Sequence, residues 1–353
     1  MHMADALLSP AVAGTMYTAS VATAALSIYK LKKEEKTLEG TSFKRLPTMA
    51  VMSALVFAGQ MINYTIPGTG SSGHICGGML LTALLGPWAG FLSMISVLLI
   101  QCLFFADGGL MALGANIWNM AFYGCFVGYF LIWRPIMRTK LASKVKIILA
   151  SVIGCVLTLQ LGAFSVVLET QLSGITELPF SAFVSLMQPI HLAIGLVEGI
   201  ATSLILVFVH QASPDLIKDI NDEKASKFSL KATIAVLAAC AIVIGGGFSL
   251  LASGNPDGLE WALFGNTEYS ESRSNMGLDE EDFGVKSSVA DKAQSIQDKT
   301  SFLPDYAFAG DEENPLGTTT SGILGSAIVA VLALGICFAG GFFKKKKAAS
   351  KTA

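Results

Sequence analysis

Charge is scarce in this chain. Of its 353 residues only 14% are Asp, Glu, Lys or Arg, against 52% hydrophobic; an ordinary soluble domain is about a quarter charged. The formal net charge is -2, which leaves no basic footprint for nucleic acid. The six cysteines stand singly inside apolar segments, without a C-x-x-C pair, and are expected to be small core residues. There is no G-x-x-x-x-G-K-[ST] phosphate loop, no H-E-x-x-H helix and no Ser/His/Asp constellation. The chain therefore shows no means of hydrolysing ATP, and active uptake would need energy from a partner. A basic region ahead of the first apolar run is missing too, with Asp5 in its place. This argues against a cleavable signal peptide. Methionine removal needs a small second residue and His2 is large, so the Met1 amine is expected to be the real terminus.

What the chain does have is a series of long apolar runs, with a mean hydropathy of +0.59. They read as an all-α integral membrane protein of the cell membrane, embedded in the lipid bilayer. The expected segments are Leu7–Tyr29, Leu46–Ile66, a short Ile75–Leu85, Trp88–Phe105, Leu110–Trp133, Ile147–Leu168, Leu186–Val209, Ala232–Leu251 and Ile323–Phe343. Lys30–Arg45 carries six Lys/Arg, Arg134–Lys146 five and Ser213–Lys231 four, whereas Gln171–Ser185 carries none. The basic loops belong to the cytoplasm. The pattern closes with the N-terminus outside and the C-terminus inside if Ile75–Phe105 crosses an even number of times.

Composition shifts after Ser253. Residues 254–319 hold 14 Asp/Glu against four Lys/Arg, which reads as an acidic external segment between the last two membrane helices, with parts of 266–300 poorly ordered. The expected organisation is a seven-segment core over 1–212, a cytoplasmic linker over 213–231, and a two-helix module over 232–353.

Four histidines are present: His2, His74, His191 and His210. A free amine at Met1, the following backbone nitrogen and the His2 imidazole can close two adjacent chelate rings on one metal. His74, in the glycine-rich loop GTGSSGHICGG, can add a fourth nitrogen. Four nitrogens in a plane suit Ni(II), and less exclusively Co(II) or Cu(II). The topology puts both elements on the same external face. The alternative is that His2 is a surface residue and His74 a loop hydrogen-bonder. Asn63, Asp107, Asn116 and Asn119 lie near the external helix ends, where they would either orient the metal loop or join helices. His191 and Glu198 lie two turns apart in an apolar helix. They read as a transit pair, a structural hydrogen-bonded pair or a partner contact. As an acid–base pair they are the sole candidate for a membrane enzyme.

The start MHMADALLSP, the loop PGTGSSGHICGGMLLTALLGPWAGFL, and the stretches FFADGGLMALGANIWNMAFYGCFVGY and HLAIGLVEG together resemble the CbiM/NikM family. These are substrate-specific membrane components of energy-coupling factor (ECF) transporters of the ABC type, which import cobalt and nickel, for cobalamin biosynthesis among other uses. SGNPDGLEWAL (Ser253–Leu263) resembles the PDGLE segment of the small companion subunit, CbiN/NikN, fused here. The resemblance implies a metal held by Met1, His2 and His74, with Ni(II) or Co(II) as cargo. It also implies a separate CbiQ/NikQ-like transmembrane coupling subunit and cytoplasmic CbiO/NikO-like ATPase subunits. The family more often begins Met-His-Ile-Pro-Asp/Glu-Gly, whereas Met3-Ala4-Asp5-Ala6 follow His2 here. A stand-alone secondary metal transporter or channel is the rival from another class.

Overall fold

A computed structural model describes residues 1–37, 42–175, 179–220, 226–265, 284–311 and 314–339. The expected linker falls partly outside these residues, as do 266–283 of the acidic segment and the basic tail.

Six helices are long and apolar enough to cross a membrane. In chain order the elements are α1 (Pro10–Thr37), α2 (Ser42–Gln60), a hairpin of β1 (Tyr64–Ile66) and β2 (Ser71–Gly73), α3 (Gly78–Leu85) and α4 (Pro87–Phe105). There follow α5 (Leu113–Met137), α6 (Ser143–Leu172), α7 (Phe180–Ala212), α8 (Leu230–Gly246), α9 (Gly258–Phe264), α10 (Ser288–Thr300) and α11 (Pro315–Ala339). The all-α membrane class is as the hydropathy indicates.

The second apolar run does not stay helical to Ile66. It stops at Gln60, and the antiparallel hairpin pairs Tyr64 with Gly73 and Ile66 with Ser71. Pro67 starts the reversal and Gly68 and Gly70 carry it at φ 79° and 76°, values that glycine adopts without steric cost. The hairpin leads inward. Gly73 lies so close to α7 that an added Cβ would sit 2.5 Å from Ile194. All eight residues of α3 are buried, and at 1.5 Å rise the helix covers only about 12 Å. Its C-terminal end meets the stretch after α7, where the Lys218 amide donates to the Ala83 carbonyl at 2.8 Å. Its N-terminal end, with His74 just before it, therefore lies inside the bundle. Irregular backbone at that depth is tolerated where protein surrounds it or it borders a cavity.

The C-terminal helices are packed onto the core rather than set apart from it. α8 and α11 contact each other and both lie along α2. Gly325 of α11 faces Phe57 and Phe105 so closely that a Cβ would come within 2.2 Å of the Phe57 ring. Part of the acidic segment expected to be poorly ordered is instead helical. Ser287 caps α10 by accepting from the Ala290 amide, and Gln297 is buried against α4 and the Gly108 carbonyl. Only Ala293 and Gln297 of this helix are buried; its other polar residues are largely exposed.

Candidate metal centre

The first three residues are inserted in the bundle as a strand of chain outside any helix or sheet. Met3 is fully buried and Met1 is 7% exposed. Asn116 holds the strand at two points. Its Oδ1 accepts from the Met3 amide at 2.8 Å and its Nδ2 donates to the Met3 carbonyl at 3.2 Å. The Gly109 amide donates to the same carbonyl at 2.9 Å. Asp5 then opens a short 3₁₀ turn, Asp5–Leu7, and accepts from the Ala112 amide at 2.9 Å. Burial of that carboxyl pushes its pKa up. This turn forms without the family's usual proline and glycine.

The His2 and His74 rings lie nearly parallel, with centroids 5.3 Å apart and 16° between planes. His74 Nδ1 is 3.0 Å from the Ile75 carbonyl. A carbonyl only accepts, so Nδ1 carries the proton and Nε2 keeps its lone pair for a metal. Burial, and after it the positive charge of His2 and the terminus, pull the His74 pKa down to about 4. His2 Nδ1 lies 2.8 Å from Asp107 Oδ1, and the Tyr306 hydroxyl donates to Asp107 Oδ2 at 2.5 Å. Burial alone would raise the Asp107 pKa; His2 and these hydrogen bonds overcome it and lower the value to about 2. The Met1 amine donates to Asp257 Oδ2 at 3.1 Å. The ammonium likewise outweighs burial at Asp257 and holds its pKa far below the usual carboxylate range.

Thus Met1, His2 and His74 are brought together, and in this arrangement two of the nitrogens are engaged by carboxylates. Only Nδ1 of His2 is close enough to its own backbone nitrogen to share a small chelate ring, so a metal must take that nitrogen from Asp107 and the amine from Asp257. Among the described residues no three His, Cys, Asp or Glu side chains converge on one point. The candidate set draws two of its nitrogens from the terminus and the backbone.

Four other candidates have partners of their own or line the cavities beside the site. Asn119 donates to Glu169 Oε2 at 2.8 Å and to the Met3 sulfur of the terminal segment at 3.6 Å. Asn63 does not support the loop through its side chain. Its Oδ1 is buried without a partner among the described residues, and its carbonyl accepts from the Ser253 amide at 2.7 Å. His191 and Glu198, both 1% exposed, do not pair with each other, because seven residues place them about 10 Å apart along the helix. Nδ1 of His191 donates to the Met187 carbonyl at 2.8 Å, and the ring lines a small cavity with Met1 and His74. Glu198 accepts from the Cys76 and Gly77 amides at 2.7 and 2.9 Å. It thereby fixes the turn between His74 and α3, where Gly77 has φ 85°. No charged partner reaches it in these bonds; the two orphan amides at the start of α3 take that place.

The sequence reading missed Asp257, Tyr306 and Glu169. Asp257 is the first residue of a D-x-x-E capping box. Its Oδ1 accepts from the Leu259 and Glu260 amides, and Glu260 accepts from the Asp257 amide. That signal marks a helix start but not the free oxygen pointing at the terminus. The segment before it is bound edge-on to β2: the Ser72 amide donates to the Pro256 carbonyl at 2.8 Å and the Ser72 hydroxyl to the Asn255 carbonyl at 2.8 Å.

The comparisons agree with this architecture. Residues 2–216 match the model of CbiM, the cobalt uptake substrate-specific transmembrane region, and residues 231–340 match the PDGLE domain. A fused NikMN-type chain of Archaeoglobus fulgidus is 34% identical over 94% of this chain and 96% of its own length. A cobalt transport protein CbiM of Sorangium cellulosum is 30% identical over 62% of this chain and 94% of its own. A crystal structure described as a transition metal transporter is 32% identical over 60% of this chain and 92% of its own, with a TM-score of 0.51. The chain belongs to the CbiM family of cobalt uptake substrate-specific transmembrane proteins, continued in the same polypeptide by a PDGLE domain.

Proposed function

We propose that this chain is the metal-capturing membrane component of an energy-coupling factor transporter, with Ni(II) or Co(II) as its cargo. The observation that carries the reading is the convergence of the Met1 amine, His2 and His74 in a buried pocket on the side of the bundle read as external. The ion is held by the Met1 amine, the backbone nitrogen and Nδ1 of His2, and Nε2 of His74. The N-terminus faces outward and the C-terminus inward, as the basic loops require.

The chain does not hydrolyse ATP itself in this reading. A CbiQ/NikQ-like coupling subunit and CbiO/NikO-like ATPases supply the energy for release. α1 supports such an assembly: it exposes Gly14, Thr18, Ala22 and Ala25 on one face, and small residues let another membrane helix approach closely. The PDGLE segment orders the metal loop by binding β2 and the terminus.

The test is to extend or acetylate the N-terminus. Either change blocks the amine and is expected to abolish Ni(II) binding in purified protein while leaving the fold intact by circular dichroism. Full-affinity binding by an extended chain contradicts the reading.

A further inference from the structure

Above the pocket lies a cavity of about 820 Å³, walled by both parts of the chain. His2, Asp5 and Asp107 line it from the core, and Asp257, Glu260 and Asp305 from the PDGLE part. Five carboxylates thus face one space, and no Lys or Arg lines it among the described residues. Buried polar atoms at its wall also lack partners among the described residues. Asp5 is 7% exposed with Oδ2 unpaired, and Gln60 is 4% exposed with Oε1 unpaired. Such atoms are costly unless water or an ion meets them.

Beneath this chamber the space next to Met1, His74, His191 and Asp257 is only about 10 Å³, roughly the volume one water needs. Six waters around an ion occupy on the order of 180 Å³ at about 30 Å³ each. The chamber admits a divalent ion with its hydration shell whole; the pocket below admits it only stripped. His74 and Asp257 border both spaces.

We infer that the chamber is an outer capture site for hydrated divalent cations, in which Asp5, Asp107, Asp257, Glu260 and Asp305 hold the ion through its waters before the nitrogens strip them. It rests on the proposed function only for the ion's destination. Oxygen ligands and water-mediated contact do not discriminate nickel from manganese or magnesium, so selection takes place at the nitrogens. A concave, low-dielectric wall of one charge sign also concentrates cations and raises their association rate.

Two measurements on the full chain test this. The first is stopped-flow association of Ni(II) at low salt. Asp305 is exposed at the rim with φ 49°, a conformation that Asn also tolerates. Asp305→Asn is expected to slow association about threefold, and Thr318→Lys, which puts a cation into the chamber wall, about tenfold. Both losses are expected to vanish at about 1 M salt, where the screening length is about 3 Å. Association rates equal to wild type at low salt overturn the proposal.

The second uses Mn(II), followed by electron paramagnetic resonance, in a His2→Ala chain that lacks the nitrogen site. Weak Mn(II) binding is expected to persist there and to weaken about threefold when Asp305→Asn is added. Mn(II) binding unchanged by Asp305→Asn, or absent from the His2→Ala chain, overturns the outer site. Loss of tight Ni(II) binding in that same chain is a separate result that bears on the inner site alone.

Discussion

The amine of Met1 donates to the carboxylate of Asp257 at 3.1 Å across 256 positions of sequence. One residue of the PDGLE domain therefore anchors the N-terminus of the CbiM domain. The other oxygen of Asp257 caps α9, so the anchor is held by its own helix. Asp257→Asn keeps a capping oxygen and removes the charge. Backbone amides of residues 3–8 and 71–74 are expected to exchange faster with deuterium in the metal-free variant, with α9 still protected. Unchanged exchange at the terminus would show that the ion pair does not hold it.

Asn116 fixes the depth of the terminal strand through the Met3 amide and carbonyl. Asn116→Ala strands a buried amide, a penalty of about 1–3 kcal/mol. Groups that orient metal ligands are typically worth about 10- to 100-fold in affinity, and a loss in that range is expected for Ni(II) by calorimetric titration. Asn116→Asp keeps the acceptor and loses the donor, so its affinity is expected to fall between the two.

Glu198 governs His74 without touching it, through the Cys76 and Gly77 amides. Glu198→Ala leaves both amides buried and unpaired, and is expected to lower the melting temperature and weaken Ni(II) binding together. Glu198→Gln retains one acceptor but turns a donor toward the second amide, so it is expected to recover part of each loss. Normal metal binding by Glu198→Ala would remove Glu198 from the account of the site.

The depressed pKa of His74 gives two pH dependences. Between its ordinary value of 6.5 and the folded value of about 4, the unfolded chain takes up a proton that the folded chain refuses. Stability therefore falls as pH drops through that window, and His74→Gln is expected to flatten the fall in melting temperature. Metal binding displaces protons from its ligands, so affinity rises with pH. Because His74 is already neutral above about pH 5, that rise reports the terminal nitrogens. It is expected to be as steep when His74 is replaced by Gln, at lower overall affinity.

Much of the membrane architecture was legible because hydropathy is a one-dimensional signal. Pro10–Glu34, Pro87–Phe105 and Ser143–Leu172 are spans by composition alone. The helix expected through Ile66 was not, since Tyr64 and Ile66 are apolar and suit strand and helix alike; Pro67 and Gly68 end the run too late to reveal the hairpin. At the site, the approach of His2 and His74 agrees with the topology that put both on one face; Asn116, expected beside the metal loop, instead bonds Met3 of the terminal segment. Asp257, Tyr306 and the Glu198–loop contact were not legible, because each joins elements far apart in sequence. The His191–Glu198 spacing suggested a pair on one face, but two turns is too long a reach for a direct bond.

The central claim is that the terminal residues are the metal ligands. Its most direct test is the Ni(II) and Co(II) content and affinity of the purified chain with its native N-terminus, beside His2→Ala. One tightly bound ion is expected in the wild-type chain and none in the variant. Equal binding by both would place the site elsewhere and contradict the account at its first residue pair.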